Sequence, residues 1–109
     1  MSVLAFILEP VNDYEKKFAI PLATEIFFID YWIPAISELE LKWSAHFSTG
    51  IDITCDDLPQ VISELRLIKE WGIQHLAEDN RKHMTDRIEL LIRKLPEAFQ
   101  REGTVVFIG

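Results

Sequence analysis

The chain has 109 residues, 49% apolar and 27% charged, with three tryptophans, a composition that describes one globular domain and excludes a disordered segment. At 12.7 kDa such a chain exposes roughly 6,000 Å² when folded against about 18,000 Å² when extended, enough burial for a core without staples. Net charge is −7 and uneven: residues 1–65 carry 11 acids and 3 bases, residues 66–109 carry 7 and 8, which argues against the basic stripe that a nucleic-acid binder uses to displace counterions.

Val3 to Leu8 is a continuous apolar run of strand length and predicts a strand covered on both faces. Glu9-Pro10-Val11-Asn12-Asp13 stops it with turn chemistry. Phe18-Ala19-Ile20 before Pro21 predicts a short strand, because the residue before proline prefers extended geometry. From Thr24 to about residue 40 the reading divides between helix and buried strand. Length, a capping Thr24 and the polar Asp30, Ser37, Glu38 and Glu40 favour helix, whereas Pro34 opposes it by removing a hydrogen bond.

Lys42 to Phe47 alternates loosely, Ser48-Thr49-Gly50 has turn chemistry, and Ile51 to Thr54 alternates cleanly, so a hairpin is expected here. Leu58, Val61, Ile62, Leu65, Ile68 and Trp71 recur at helical spacing, with Asp56 as the expected N-cap and Pro59 in the first turn. Met84, Ile88, Leu91, Ile92, Leu95 and Phe99 predict a last helix over about 84–100, with Arg93, Lys94 and Arg101 favourably placed near its C-terminal dipole. Gly103 ends it, and residues 104–108 read as a closing strand. The expected fold is therefore α+β: a small sheet, its N- and C-terminal strands near the centre with a short hairpin, packed against two or three helices.

The opening residues lack a basic n-region, and the longest apolar stretch, Ile26 to Ile36, is interrupted by Asp30. The lone Cys55 has no partner for an internal disulfide. Together these predict a soluble, cytoplasmic protein with no membrane partner. Cys55 itself, beside Asp56 and Asp57, reads as an inert small hydrophobe, since adjacent carboxylates disfavour the thiolate.

His75, Asp79 and His83 stand at steps of four and would share one face of a continuous helix, which is the one metal-like spacing in the chain. Gly72 and Asp79-Asn80 predict a helix break inside that stretch, and no fourth ligand is evident. His46 has no Ser or Cys with a spaced acid that would form a recognisable triad, and no phosphate-binding glycine motif or CxxC occurs. Glu38 and Glu40, or Asp56 and Asp57, point to different helix faces and read as solvated surface rather than an acid/base couple. The expectation is a protein without catalytic activity and without a cofactor.

Further strings bear on function. Trp32-Ile33-Pro34-Ala35 is followed by Glu38-Leu39 and Leu41-Lys42-Trp43; Gly50-Ile51 and Ile53-Thr54 precede Asp56-Asp57-Leu58; then come Glu64-Leu65, Trp71, Arg87-Ile88 and Phe107-Ile108-Gly109. In this layout, from about residue 20 onward, the chain resembles the small immunity proteins of bacterial polymorphic and contact-dependent toxin systems. The resemblance implies a non-enzymatic inhibitor whose partner is a cognate toxin domain with a basic surface. It points to the acids Glu38, Glu40, Asp52, Asp56 and Asp57 for electrostatic complementarity, and to Trp43 and Trp32 as anchors. Two other readings stand beside it: a homodimeric regulatory or structural domain joined through the apolar 26–36 segment, and a metal-binding protein using the His75/Asp79/His83 face.

Overall fold

The two outermost apolar runs of the sequence lie side by side. In the computed structural model, which describes residues 2–109, strand β1 (Ser2–Leu8) pairs on one edge with β2 (Ala19–Thr24) and on the other with β4 (Val105–Ile108). β3 (Ile51–Ile53) pairs only with β4, giving a four-stranded sheet of order β2-β1-β4-β3, antiparallel throughout. The α+β class and the central N- and C-terminal strands are as the sequence predicts.

Alternate residues of the strands build one wall of the core: Val3, Ala5 and Ile7 of β1, Val106 and Ile108 of β4, and Ile53 of β3 are buried. The opposite face carries Leu4, Phe6, Leu8, Val105 and Phe107, all half-buried. β1 is therefore covered on one face only, where the uninterrupted apolar run predicts two. Cross-strand pairing replaces the missing layer: Phe6 lies opposite Phe107 with ring centroids 5.3 Å apart.

Between β1 and β2 the chain makes one short helix, α1 (Asp13–Lys17), capped by Asn12, whose side chain accepts from the Glu15 N–H at 2.8 Å. Pro21 does not end β2, as its sequence context suggests. The strand runs through it because β2 is an edge strand, and the ladder shifts register between Val3 and Leu4, where such irregularity is tolerated.

Residues 25–39 settle as helix. α2 (Glu25–Phe27), a π turn (Phe28–Trp32) and α3 (Ile33–Leu39) follow without a break. Thr24 caps the start, accepting from Phe27 N–H at 3.1 Å. The exposed positions come in pairs every four residues: 25/26, 29/30, 33/34 and 37/38; the residues between them face the core, including Phe28, Trp32, Ala35 and Ile36. A plain α-helix overshoots by about 40° at each step of four, or about 120° over three steps. The π turn, in which Ile33 N–H reaches back to Phe28 C=O, absorbs one extra residue and so takes back about 100°. It thereby keeps a four-residue pattern in line and accommodates Pro34 on the solvent side.

Residues 42–47 are not a strand, and no hairpin forms; Ser44–His46 is a 3₁₀ turn. Thr54, not Asp56, caps the next helical segment. Its hydroxyl and N–H both contact Asp57 Oδ2 at 3.0 Å across a 3₁₀ turn, Cys55–Asp57, that leads into α4 (Leu58–His75). Pro59 lies in that first turn, where a missing N–H is harmless. α5 (Glu78–Ala98) starts earlier than the apolar stripe alone predicts and ends with no cation in its last turn. Arg101 lies beyond it and turns to Glu15 instead.

α4 and α5 lie against each other. Val61, Leu65 and Ile68 of one and Met84, Ile88, Leu91 and Leu95 of the other complete the core. Gly72 stays within α4 and permits this approach: a Cβ there would sit 2.8 Å from Met84 Sδ.

Candidate functional site: a protein-docking surface

The carboxylate that accepts the most hydrogen bonds among the described residues is one that the apolar periodicity passes over. Glu64 sits on the core-facing side of α4, between Val61 and Leu65, and is 9% exposed. Its Oε2 accepts from the N–H groups of Lys42 and Trp43 at 3.1 and 3.0 Å; its Oε1 accepts from the N–H and hydroxyl of Ser44, both at 2.8 Å. Three consecutive backbone donors that a strand would spend on a neighbour are thus spent on one carboxylate. This is the physical reason that residues 42–47 turn.

The consequence is a fixed loop carrying Trp43. Its other end is fixed too: Glu40 closes α3 in the left-handed region (φ 54°, ψ 46°), and Leu41 N–H returns to Ile36 C=O. Between this loop and α4 lies a shallow hollow of about 530 Å³, lined by Glu40, Trp43, Pro59, Gln60, Ser63 and Leu67 among others. Leu67 is 46% exposed at its edge, so the hollow offers apolar surface with a carboxylate beside it.

The residues singled out by sequence divide. Glu40 and Trp43 share this hollow, and Asp56 and Asp57 precede its wall at the start of α4, with Asp57 occupied by the Thr54 cap. Glu38 lies on the exposed side of α3 and accepts from the Trp71 indole N–H at 2.5 Å. Asp52 is set apart: it faces Phe107 in the ladder and lines a different hollow with Leu8, Glu9, Val11 and Arg101. Trp32 is no surface anchor. It is completely buried, stacked at 5.5 Å on Phe28, and its indole N–H has no partner among the described residues.

The histidine face does not form. The chain leaves helical geometry at Leu76 and Ala77, separating His75 on α4 from Asp79 and His83 on α5. His75 stacks on Trp71 at 4.6 Å and its Nδ1 is 2.8 Å from Trp71 C=O, while His83 meets Phe27 edge-on. Among the described residues no three His, Cys, Asp or Glu side chains are placed to hold a metal ion. Cys55 is exposed, not packed as a small hydrophobe.

Away from the hollow, one ion pair stands out. Arg101 donates to both carboxylate oxygens of buried Glu15, at 2.9 and 3.0 Å, and Val11 N–H adds a third bond. The Arg101 hydrogen bond holds the Glu15 carboxyl below the usual carboxylate range, outweighing the opposing effect of burial. It joins the α1 turn to the loop before β4.

No helix is long and apolar enough to cross a membrane among the described residues. No protein-family model matches the chain, and no curated protein or solved structure matches it significantly.

Proposed function

We propose that this chain acts by binding another protein, as an immunity-type inhibitor that neutralises a cognate bacterial toxin domain by covering a basic surface on it. The observation that carries the reading is the presentation of Trp43: an aromatic side chain on a loop locked by Glu64, beside a hollow bordered by Glu40 and by the acids that begin α4. Large aromatics on ordered surfaces supply interface energy at low entropic cost. Carboxylates around them speed encounter with basic partners and penalise acidic ones. The resemblance of the residue strings to immunity proteins supplies the partner class.

Co-expression tests this directly. Producing the chain with the C-terminal domain of a secreted toxin encoded next to it is expected to restore growth, and Trp43→Ala is expected to lose that protection. Binding by the purified pair should weaken more than tenfold in the variant while its thermal unfolding stays close to that of the parent. Continued cell death with the parent chain would refute the toxin assignment.

A further inference from the structure

The 25–39 helix shows solvent an apolar line that nothing among the described residues covers. Ile26 is 74% exposed, Ile29 54% and Ile33 37%, and the π turn keeps them within one continuous strip of exposed positions. Ile29 also borders a hollow of about 300 Å³ walled by Phe28, Ser48 and Thr49, a recess next to the strip. Interspersed with the isoleucines are Glu25, Asp30 and Glu38, all exposed. No Lys or Arg occurs between Lys17 and Lys42, so the strip's own residues carry negative charge and no positive charge.

Two occupants fit an apolar helix face, and charge chooses between them. A second copy docked about a two-fold axis would bring both sets of Glu25, Asp30 and Glu38 together, six carboxylates with no cation on either strip. The strip is also small for that purpose. Fifteen residues make a rod about 22 Å long and about 10 Å wide, well short of the roughly 800 Å² per partner of a stable interface.

We infer that this face docks an amphipathic helix of a partner protein with basic residues along its polar edges. Its apolar side chains cover Ile26, Ile29 and Ile33 and enter the hollow beside Ile29, while its Lys or Arg side chains meet Glu25, Asp30 and Glu38. The inference rests on the protein-binding reading above, but not on the partner being a toxin.

An 18-residue Leu/Lys amphipathic helical peptide is a suitable probe, with a Leu/Glu peptide of the same apolar face as control. Amide shift mapping is expected to place the Leu/Lys peptide on residues 25–38 with micromolar affinity, weakened several-fold between 50 and 500 mM salt. Ile29→Lys and Ile26→Lys, both at exposed positions, should each reduce affinity at least tenfold while leaving the far-UV spectrum unchanged. Val11→Lys, equal in charge change but elsewhere, should have no effect. Equal binding of the Leu/Glu peptide, shifts on another face, or no binding would overturn the inference. A micromolar dimer abolished by Ile29→Lys would overturn it too, assigning the face to a second copy. If co-expression fails to rescue growth while the peptide still maps to residues 25–38, the toxin assignment falls and this inference stands.

Discussion

Ser44 gives both its N–H and its hydroxyl to Glu64 Oε1, each at 2.8 Å, across a separation of twenty residues. Those bonds, with the ones from Lys42 and Trp43, tie a loop to the middle of α4 and determine where Trp43 stands.

Glu64→Ala should leave three backbone N–H groups without their acceptor. Hydrogen bonds to a charged group contribute about 1.5–3 kcal/mol, and a buried orphan donor costs about 1–3 kcal/mol, so a loss of about 3 kcal/mol or more is expected in urea unfolding. Glu64→Gln should fall between the two, since one amide oxygen can replace only part of the set. An unchanged urea midpoint in both variants would mean that the loop is held by other contacts.

Glu40 occupies the left-handed region without being glycine. A side chain there costs about 1–2 kcal/mol, part of which glycine returns as unfolded-state entropy. Glu40→Gly is therefore expected to raise stability by about 0.5–1 kcal/mol while removing one carboxylate from the hollow. Thermal unfolding would register the gain, and a lower melting temperature would count against it.

Gly50 shows the opposite case. Its φ is 110°, and a Cβ would lie 2.5 Å from Phe107 Cζ. Gly50→Ala must strain the backbone and displace the ring that covers the outer face of the sheet. Overpacking of this kind costs about 1–3 kcal/mol. Restoring space with Phe107→Leu should recover part of that loss, a coupling that a double-mutant cycle measures.

Acid should loosen the tie between Glu15 and Arg101. The folded-state carboxyl is held below its ordinary value, so the unfolded chain takes up the proton first as pH falls. Stability from this pair is full above about pH 4.3, the ordinary glutamate value, and drains away as pH drops through the lower folded value. Glu15→Gln should remove that contribution at neutral pH and flatten the loss of stability below pH 4.3. An unaltered acid limb would contradict the assignment.

The sequence carried most of the fold, through patterns that depend on local geometry alone. The apolar runs at Val3 to Leu8 and near Val105, and the stripes of α4 and α5, appear where periodicity places them. Residues 25–39 resist such reading because their period is four, which fits neither a strand nor a plain helix until the π turn is included. Residues 42–47 mislead for a different reason: the acceptor for their N–H groups is twenty residues away. A signal was present nonetheless. Glu64 falls on the same helical face as Val61, Leu65 and Ile68, and an acid at a core-facing position must find donors. Of the candidate site, Glu40 and Trp43 were legible together, whereas Asp52 was separated from them by the direction of β3.

The position of β4 bears on the order of events as the protein folds. Among the described residues β3 has no ladder partner except β4, and β4 in turn lies opposite β1, so that Phe6 is matched with a residue about one hundred positions downstream. Closing a loop of that span costs entropy before the β1–β4 ladder rewards it, whereas β1 and β2, joined across one short helix, can pair early. Until residues 105–108 are available, β3 has no strand to pair with among the described residues, so this half of the sheet closes last.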